Sequence, residues 1–396
     1  MGEQGCHGEE VSGEKGDKKH LGARGNGKGL VLSGGGARGA YQVGVLQGLI
    51  DCGLVSDGPS EFPILVGTSA GSIHATALAA YADNFTRAVE EVRFVWSRIR
   101  ASEVFRTDLP GLLMSVFRWA RDLGFGGLLG GVSPKSLLDT APLPQLLSHI
   151  PFRRISRNVE AGHLLAVAVP ATEYYSNESV IFLQSHPEVE GWQKQRARVE
   201  KVEIGLEHIM ASSSIPMFFP TVELNGGHFG DGCLRNTTPL GPAIRLGADR
   251  ILAVGVHEPA GLAEDRTPMV ADVASTILDA IMMDAMEKDV AHCQRINENL
   301  KNDTSDFRKV DVLWLAPSEP IAPIARSMMH RIPPQIRYLL HGLGGDRASS
   351  ELASYLLFHP EFCNRLIELG RRDVRHRREE IRHFLNGATW TTTRSS

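Results

Sequence analysis

Residues 29–46 read GLVLSGGGARGAYQVGVL, and this stretch decides the fold. An apolar run at 30–32 predicts a short buried strand, and the glycines Gly34, Gly36 and Gly39 follow it at once. Apolar residues then recur at helical spacing, which predicts a helix. A strand, a glycine-rich loop and a helix in this order are typical of an α/β fold whose loop presents backbone N–H groups to an anion.

A second unit of the same kind follows. Residues 62–66 predict another strand, the next loop reads Gly67-Thr-Ser69-Ala-Gly71, and an alanine-rich helix runs to about Ala80. Two successive strand–loop–helix units imply a parallel sheet with right-handed crossovers. Further strands are predicted at 164–169, 179–183, 222–224, 251–256 and 311–315.

The second loop has the spacing of a nucleophile elbow. Such a turn is sharp, so the residues two before and two after the serine must be small, and Gly67 and Gly71 meet that requirement. Ser69 is therefore predicted to be a nucleophile at the carboxyl edge of the sheet, near a helix N-terminus that favours negative charge. The alternative is that Ser69 only caps the helix.

The first loop is predicted to lie at the same edge, where two kinds of anion could use it. A dinucleotide site would place an acidic residue at the end of the second strand, but that strand ends in Gly67-Thr-Ser69 and Glu61 stands before it. No Gly-Lys-Ser/Thr follows the loop, which excludes a Walker A site. The glycines are therefore predicted to form an oxyanion hole for Ser69, with Arg38 as a positive charge close by.

The base that a serine nucleophile needs is not a recognisable histidine. The chain has 15 histidines, but none stands in a convincing motif, and His74 is predicted to face away from the elbow on the same helix as Ser69. Asp231 stands out because it lies between two glycines after a Gly-Gly turn. An ordinary Asp-Gly turn is the alternative at this position.

The motifs GGGARG, GTSAG and DG occur in this order and resemble those of the patatin-like phospholipases over roughly residues 29–315. The resemblance implies a three-layer α/β/α sandwich with a mainly parallel central sheet. It also implies a Ser–Asp dyad that cleaves carboxylic ester bonds of phospholipids or lysophospholipids through an acyl-enzyme, without a metal or other cofactor. The implied site consists of Ser69 and Asp231 as the dyad, Gly34, Gly35, Gly36, Arg38 and Gly39 at the oxyanion hole, and Gly67 and Gly71 at the elbow. Cys233 departs from the family pattern, which usually has glycine or alanine there.

An aspartate base needs an unusual environment. Its ordinary pKa of about 3.9 is far from ideal for a base at neutral pH. The sequence therefore predicts that Asp231 hydrogen-bonds Ser69 directly and lies in a partly desolvated pocket that raises its pKa. Much of the rate must then come from the oxyanion donors, each worth about 3 kcal/mol.

Composition restricts the setting of this chemistry. The 396 residues carry a formal net charge of -4, which gives no general affinity for nucleic acid. The chain has no apolar run long enough for a transmembrane helix and no signal-peptide core, and its five scattered cysteines suit a reducing compartment. These features predict a cytoplasmic protein in peripheral contact with the membrane that holds its lipid substrate. No sequence pattern indicates the oligomeric state.

Three regions are predicted along the chain. Residues 1–28 are polar and predicted to form a disordered tail, 29–317 form the acyl hydrolase domain, and 318–396 form a helical C-terminal extension. Within the domain, residues 104–131 carry an apolar face at helical spacing and then a glycine-rich piece. That segment is either a helix packed on the core or a lid that contacts lipid. The basic stretch 371–382 is either a solvated helix or a contact for anionic headgroups.

Two other functions fit the same residues. An acyltransferase would pass the acyl group from Ser69 to an alcohol or a carrier thiol in place of water. A non-catalytic regulatory protein would keep the fold and bind lipid, although unused catalytic residues have no structural reason to meet.

Overall fold

The computed structural model describes residues 27–107, 136–257, 284–300, 308–337 and 346–387, apart from positions 195 and 335, together with positions 273, 276, 277 and 280. The strands are β1 (Lys28–Leu32), β2 (Ile64–Gly67), β3 (Ala166–Glu173), β4 (Glu178–Ser185), β5 (Gln193–Lys194), β6 (Ala197–Lys201), β7 (Val222–Leu224), β8 (Gly227–Asp231), β9 (Arg250–Val254) and β10 (Asp311–Leu315). The helices are α1 (Ala40–Asp51), α2 (Ala70–Ala80), α3 (Phe85–Trp96), α4 (Ala101–Val104), α5 (Leu143–Leu147), α6 (Arg153–Glu160), α7 (Leu206–Ser212), α8 (Gly241–Arg245), α9 (Asp284–Asn299), α10 (Ile321–Ser327), α11 (Asp346–Leu356), α12 (Pro360–His376) and α13 (Arg378–Asn386).

One ten-stranded sheet runs through the described part of the chain in the order β10-β9-β1-β2-β3-β4-β6-β5, with β8 pairing to β3 and β7 pairing to β8. The strands from β10 to β3 in this order are all parallel, whereas β4 and β8 run antiparallel to β3. Helices flank both faces. The predicted fold class, a mainly parallel α/β/α sandwich with a helical C-terminal region, is confirmed.

The central strands supply two separate cores because their side chains alternate between the faces of the sheet. Leu30 and Leu32 of β1 belong to the larger apolar cluster, with α1 and α2, whereas Val31 belongs to the smaller cluster on the other face. In β2, Leu65 likewise faces the larger cluster. Strands buried on both faces read as continuous apolar runs, which is why β1 and β2 are recognisable in the sequence.

Several predicted boundaries shift in the structure. The strand predicted at 164–169 begins at Ala166 and continues to Glu173, so β3 is longer than the sequence indicates. Lys28, the last residue of the predicted tail, is the first residue of β1, and its ammonium group donates to Glu61 at 2.7 Å. Residues 1–26 and most of the 104–131 segment lie outside the described residues.

The C-terminal helices share a core with the sheet. α12 lies along α1, and the approach is close because a Cβ at Gly44 would overlap the backbone of Ile367, while a Cβ at Gly370 would overlap the backbone of α1. Leu366 and Val374 of α12 belong to the same apolar cluster as β1. The boundary predicted near residue 317 therefore does not separate two cores.

The basic stretch 371–382 is largely compensated by carboxylates within the protein. Arg371 pairs with Asp51 of α1 at 2.7 Å and Arg372 with Glu319 at 2.6 Å. Four arginines of this stretch form ion pairs with carboxylates: Arg371, Arg372, Arg377 and Arg382. Arg371 thus ties α12 to α1, whereas Arg377 and Arg382 pair with glutamates of α13 three residues away.

Candidate active site

Ser69 occupies a strained turn between β2 and α2. Its backbone has φ 54 and ψ -125, values that a residue with a side chain rarely adopts. The turn is tight, because a Cβ at Gly67 would overlap the carbonyl oxygen of Gly71, and a Cβ at Gly71 would overlap that of Leu32. Ser69 is only 1% exposed. This is the geometry of a nucleophile elbow, and it explains both flanking glycines.

Asp231 reaches the elbow because β8 continues the line of β2 along β3. On one edge of β3, residues 166–168 pair with β2 and residues 171–173 pair with β8, while β4 occupies the other edge. Asp231 ends β8 and therefore points back toward the carboxyl end of β2. Gly232 allows the turn to close, since a Cβ there would lie 2.8 Å from the Thr68 side chain.

The carboxyl of Asp231 is fully buried, and burial raises its pKa from 3.8 to about 6. One oxygen, Oδ1, accepts a hydrogen bond of 2.9 Å from the backbone N–H of Cys233. Within the described chain, the other oxygen, Oδ2, has no hydrogen-bond partner of ordinary geometry. The hydroxyl of Ser69 is nevertheless near enough for hydrogen bonding to lower the pKa of Asp231, which partly offsets the effect of burial. Catalytic hydrogen bonds are often long before substrate binds.

Cys233 fits the turn without becoming reactive. Burial, followed by the charge of Asp231 and a hydrogen bond to it, raises the pKa of the thiol well above its usual range, and the backbone N–H of Gly34 offsets only part of that rise. The thiol therefore stays protonated at neutral pH and does not compete with Ser69 as a nucleophile. Cys233 thus contacts both the Asp231 carboxyl, through its backbone N–H, and the glycine-rich loop, through its thiol beside Gly34.

The glycine-rich loop needs glycine at two consecutive positions. Gly35 has φ 149 and Gly36 has φ 54, both in the region that favours glycine. Gly36 lines the same cavity as Ser69, so the loop and the elbow meet as predicted. Gly39 lies behind them, where a Cβ would sit 2.9 Å from the Cβ of Ala70. Gly39 therefore permits close packing of the first turns of α1 and α2 and is not itself exposed to the cavity.

Arg38 does not have the surroundings that the sequence suggested. Its guanidinium is directed to α11, where Nε donates to the hydroxyl of Ser354 at 2.7 Å and Nη2 donates to Glu351 at 2.7 Å. The group also lies over the ring of Tyr355, 4.4 Å from its centroid. A buried guanidinium needs an opposite charge, and Glu351 on a distant helix supplies it. Its charge is thus committed to the C-terminal helices.

The side chains of His74 and His228 are both engaged in other contacts. His74 is completely buried, its Nδ1 lies 2.8 Å from Oε1 of Gln42, and burial lowers its pKa to about 3. His228 stacks edge-on against the ring of Tyr175. Gln42 was not recognised in the sequence, although its amide nitrogen donates to the carbonyl of Ser33 at 2.9 Å and so supports the start of the glycine-rich loop.

Three serines that follow one another also belong to the site. The backbone N–H of Ser69 donates to the hydroxyl of Ser212, and the hydroxyl of Ser213 donates to the carbonyl of Ser69. The backbone carbonyl of Ser214 accepts a hydrogen bond of 3.0 Å from the backbone N–H of Asp231. The stretch 211–220 reads ASSSIPMFFP, and only the structure shows that its serines hydrogen-bond both Ser69 and Asp231.

An apolar cavity opens from Ser69 toward the layer of α2 and α3. Its cavity volume is about 100 Å³. The exposed residues Glu91 and His149 mark where it reaches the surface. Its walls are almost entirely apolar and include Ala70, Ile73, Ala77, Val92, Val95, Trp96, Ile99, Val104, Leu143, Leu146, Leu147, Ile150, Ile215, Phe219 and Phe358. Such a cavity suits an aliphatic chain.

The chain matches the family model described as patatin-like phospholipase over residues 30–244. The chain belongs to this family. The matched span contains the elbow, the glycine-rich loop and Asp231, and it ends before α9. The C-terminal helices that contact the loop in this family member therefore lie beyond the part that the family model describes.

The solved structures that the chain matches include VipD from Legionella pneumophila and the type III effector protein ExoU. The VipD match has 16% identity and a TM-score of 0.31 and covers 86% of this chain and 66% of VipD. The ExoU match has 15% identity and a TM-score of 0.35 and covers 91% of this chain and 53% of ExoU. This chain thus spans about two thirds of the one and about half of the other. No curated protein matches it.

In the described ranges, no group of three or more His, Cys, Asp or Glu side chains could hold a metal ion. No helix among the described residues is long and apolar enough to cross a bilayer.

Proposed function

We propose that this patatin-like protein is a serine lipid acyl hydrolase in which Ser69 is the nucleophile and Asp231 the base. The observation that carries the proposal is the buried Asp231 carboxyl, whose pKa rises to about 6 beside a serine on a strained elbow. A base of this pKa is ionised at neutral pH and still basic enough to accept a proton. An ordinary Asp-Gly turn or a helix cap explains neither the burial nor the strain.

The reaction runs in two halves through groups of this chain. The Oγ atom of Ser69 attacks the ester carbonyl carbon while its proton passes to Asp231, and backbone N–H groups of Gly35 and Gly36 stabilise the oxyanion. The intermediate then collapses, the alcohol leaves with the proton from Asp231, and an acyl-Ser69 ester remains. In the second half, water gives a proton to Asp231 and attacks this ester; the fatty acid then leaves as Asp231 returns the proton to the Oγ atom of Ser69. The scheme calls for no metal ion.

The cavity indicates the class of ester. Its apolar walls would hold one acyl chain with the carbonyl at Ser69, and the polar remainder of a glycerolipid would stay outside. Phospholipids and lysophospholipids meet this requirement, and both reside in or near membranes. We therefore propose a peripheral contact with the lipid surface during turnover.

The test is release of free fatty acid from phosphatidylcholine and lysophosphatidylcholine vesicles, followed by mass spectrometry. Wild type should release fatty acid in the presence of EDTA and should be labelled at Ser69 by a fluorophosphonate probe. Ser69→Ala should lose both properties, whereas Ser148→Ala, at an exposed helix end, should keep both. An unlabelled wild type that releases nothing would overturn the proposal in favour of a binding protein. Acyl transfer to an added alcohol in preference to water would assign the site to an acyltransferase.

A further inference from the structure

The glycine-rich loop is held from outside the matched family region. Arg38, which is 1% exposed, makes two hydrogen bonds of 2.7 Å to Ser354 and Glu351 of α11. The Glu351 contact is also an ion pair in which the carboxylate side chain is 18% exposed. Arg38 and these partners are more than 300 residues apart in the chain. One side chain of the loop is thus fixed at three points, counting its stacking on Tyr355.

The backbone of the same helix closes on the loop itself. A Cβ at Gly36 would overlap the carbonyl oxygen of Tyr355, so the last turn of α11 lies directly against the residue that faces Ser69. Two residues beyond α11, Phe358 lines the cavity with Ser69. The ring of Phe358 also packs against Trp96 of α3, with 6.3 Å between centroids. The segment 351–358 therefore contacts the loop on one side and the cavity on the other.

The loop needs such support for a physical reason. Glycines have wide conformational freedom, and Gly35 and Gly36 are held at positive φ. Oxyanion donors act only when they are fixed before the reaction, and a misplacement of about 1 Å can cost about 100-fold in rate. A buried ion pair adds little to stability compared with apolar packing, but it selects one geometry. The contacts of Arg38 are therefore suited to fixing the loop and not merely to filling space.

We propose that Arg38 is a positioning residue and that α11 with Phe358 completes the active site by clamping the oxyanion loop. The proposal rests on the proposed hydrolase function, but the clamp itself is a physical property of the loop. Residues 351–358 would then be part of the catalytic unit, although they follow the matched family region by more than 100 positions. Arg38 acts through the loop and does not touch the substrate.

The test compares two ion pairs that both tie the C-terminal helices to the sheet. Glu351→Gln weakens the clamp at the loop. Arg371→Met removes the pair with Asp51, which joins α12 to the far end of α1. Asp51 is the last residue of α1, about 16 Å along the helix from its first residue, at 1.5 Å per residue. Loss of a C-terminal contact is thus common to both variants, and only the first touches the loop.

Two readouts decide the outcome. In Glu351→Gln, kcat for fatty acid release should fall by about 100-fold with KM changed less than about threefold, and Arg371→Met should stay within about twofold of wild type. Ser354→Ala removes a neutral hydrogen-bond partner of Arg38, so its kcat should lie between those of the other two variants. Hydrogen exchange of the amides at 33–40 should accelerate in Glu351→Gln and Ser354→Ala but not in Arg371→Met.

Each unfavourable result points to one proposal. Equal kcat in Glu351→Gln and Arg371→Met would overturn the clamp while leaving the hydrolase intact. An inactive and unlabelled wild type would overturn the hydrolase proposal. Hydrogen exchange of the amides at 33–40 in the variants would then still test the clamp. Unchanged exchange in Glu351→Gln refutes the clamp whatever the activity. Far-UV circular dichroism and the urea midpoint identify a variant that fails to fold. If Glu351→Gln fails to fold, Ser354→Ala is compared with Arg371→Met in its place.

Discussion

Replacing Asp231 with asparagine should remove activity and yet make the protein more stable at neutral pH. The carboxyl is completely buried, and its pKa is raised from 3.8 to about 6. A rise of this size corresponds to about 3 kcal/mol of folding free energy, because each pKa unit is worth about 1.4 kcal/mol. Ionised Asp231 therefore disfavours folding, a cost that an uncharged asparagine of similar shape avoids.

The sign of the pH dependence follows from the direction of the shift. An acid whose pKa is raised in the folded state favours folding fully below the unfolded pKa, and this contribution is lost as the pH rises through the folded pKa. Wild type thus loses stability between about pH 4 and pH 6 relative to Asp231→Asn. The free-energy gap between the two proteins should widen by about 1 kcal/mol from pH 5 to pH 8, where it approaches its full value.

The assay is urea unfolding of both proteins at pH 5, 6, 7 and 8, with the exposed substitution Asp57→Asn as control. Asp57→Asn removes one carboxylate at an exposed position and so controls for the general effect of losing a charge. In parallel, Asp231→Asn should lower kcat by up to about 10⁴-fold, because a general base contributes about 10²–10⁴-fold to the rate. A gap at Asp231 that does not change between pH 5 and pH 8, or that narrows, would refute the argument from burial.

The remaining predictions concern the base, the thiol and the cavity. The kcat/KM of wild type should rise with pH and reach half its maximum near pH 6, since Asp231 must be ionised to accept the proton; a half-maximum near pH 4 would show that the carboxyl is solvated in the working enzyme. Cys233→Ala should keep kcat within about threefold, and the folded wild-type thiol should resist iodoacetamide at pH 7.5, because its pKa is raised well above the usual range. Ile73→Trp should narrow the cavity and lower kcat/KM for 16-carbon esters about tenfold more than for 4-carbon esters; an equal loss on both would place the acyl chain elsewhere.

The elbow and the first loop could be predicted because their chemistry is local. A turn that holds a serine at positive φ has no room for large residues two positions before or after it. The glycines Gly67 and Gly71 therefore reveal this turn in the sequence. The strands β1 and β2 were also recognisable, since both faces of each are buried. Asp231 was identified through its glycine neighbours and the family resemblance, and its role in catalysis stays a prediction.

The properties that make those residues useful depend on distant parts of the chain. The sequence predicted a raised pKa for Asp231, but how deeply the carboxyl is buried depends on the surrounding fold, in which β8 pairs with β3. Arg38 was expected at the oxyanion because it is close in sequence to the glycines, but the energetic need of a buried guanidinium for a carboxylate turns it toward Glu351. No local periodicity relates residues 313 positions apart.

The sequence alone indicated the first two strand–loop–helix units, the nucleophile elbow and the glycines of the first loop, but not the strands β5, β6 and β8. These follow from steric limits on a few neighbouring residues. That the C-terminal helices share the core of the sheet, and that α11 lies on the loop, is visible only in the folded chain. Those contacts arise from burial of apolar surface and from charge pairing between segments far apart in the chain, which depend on where the whole fold brings them.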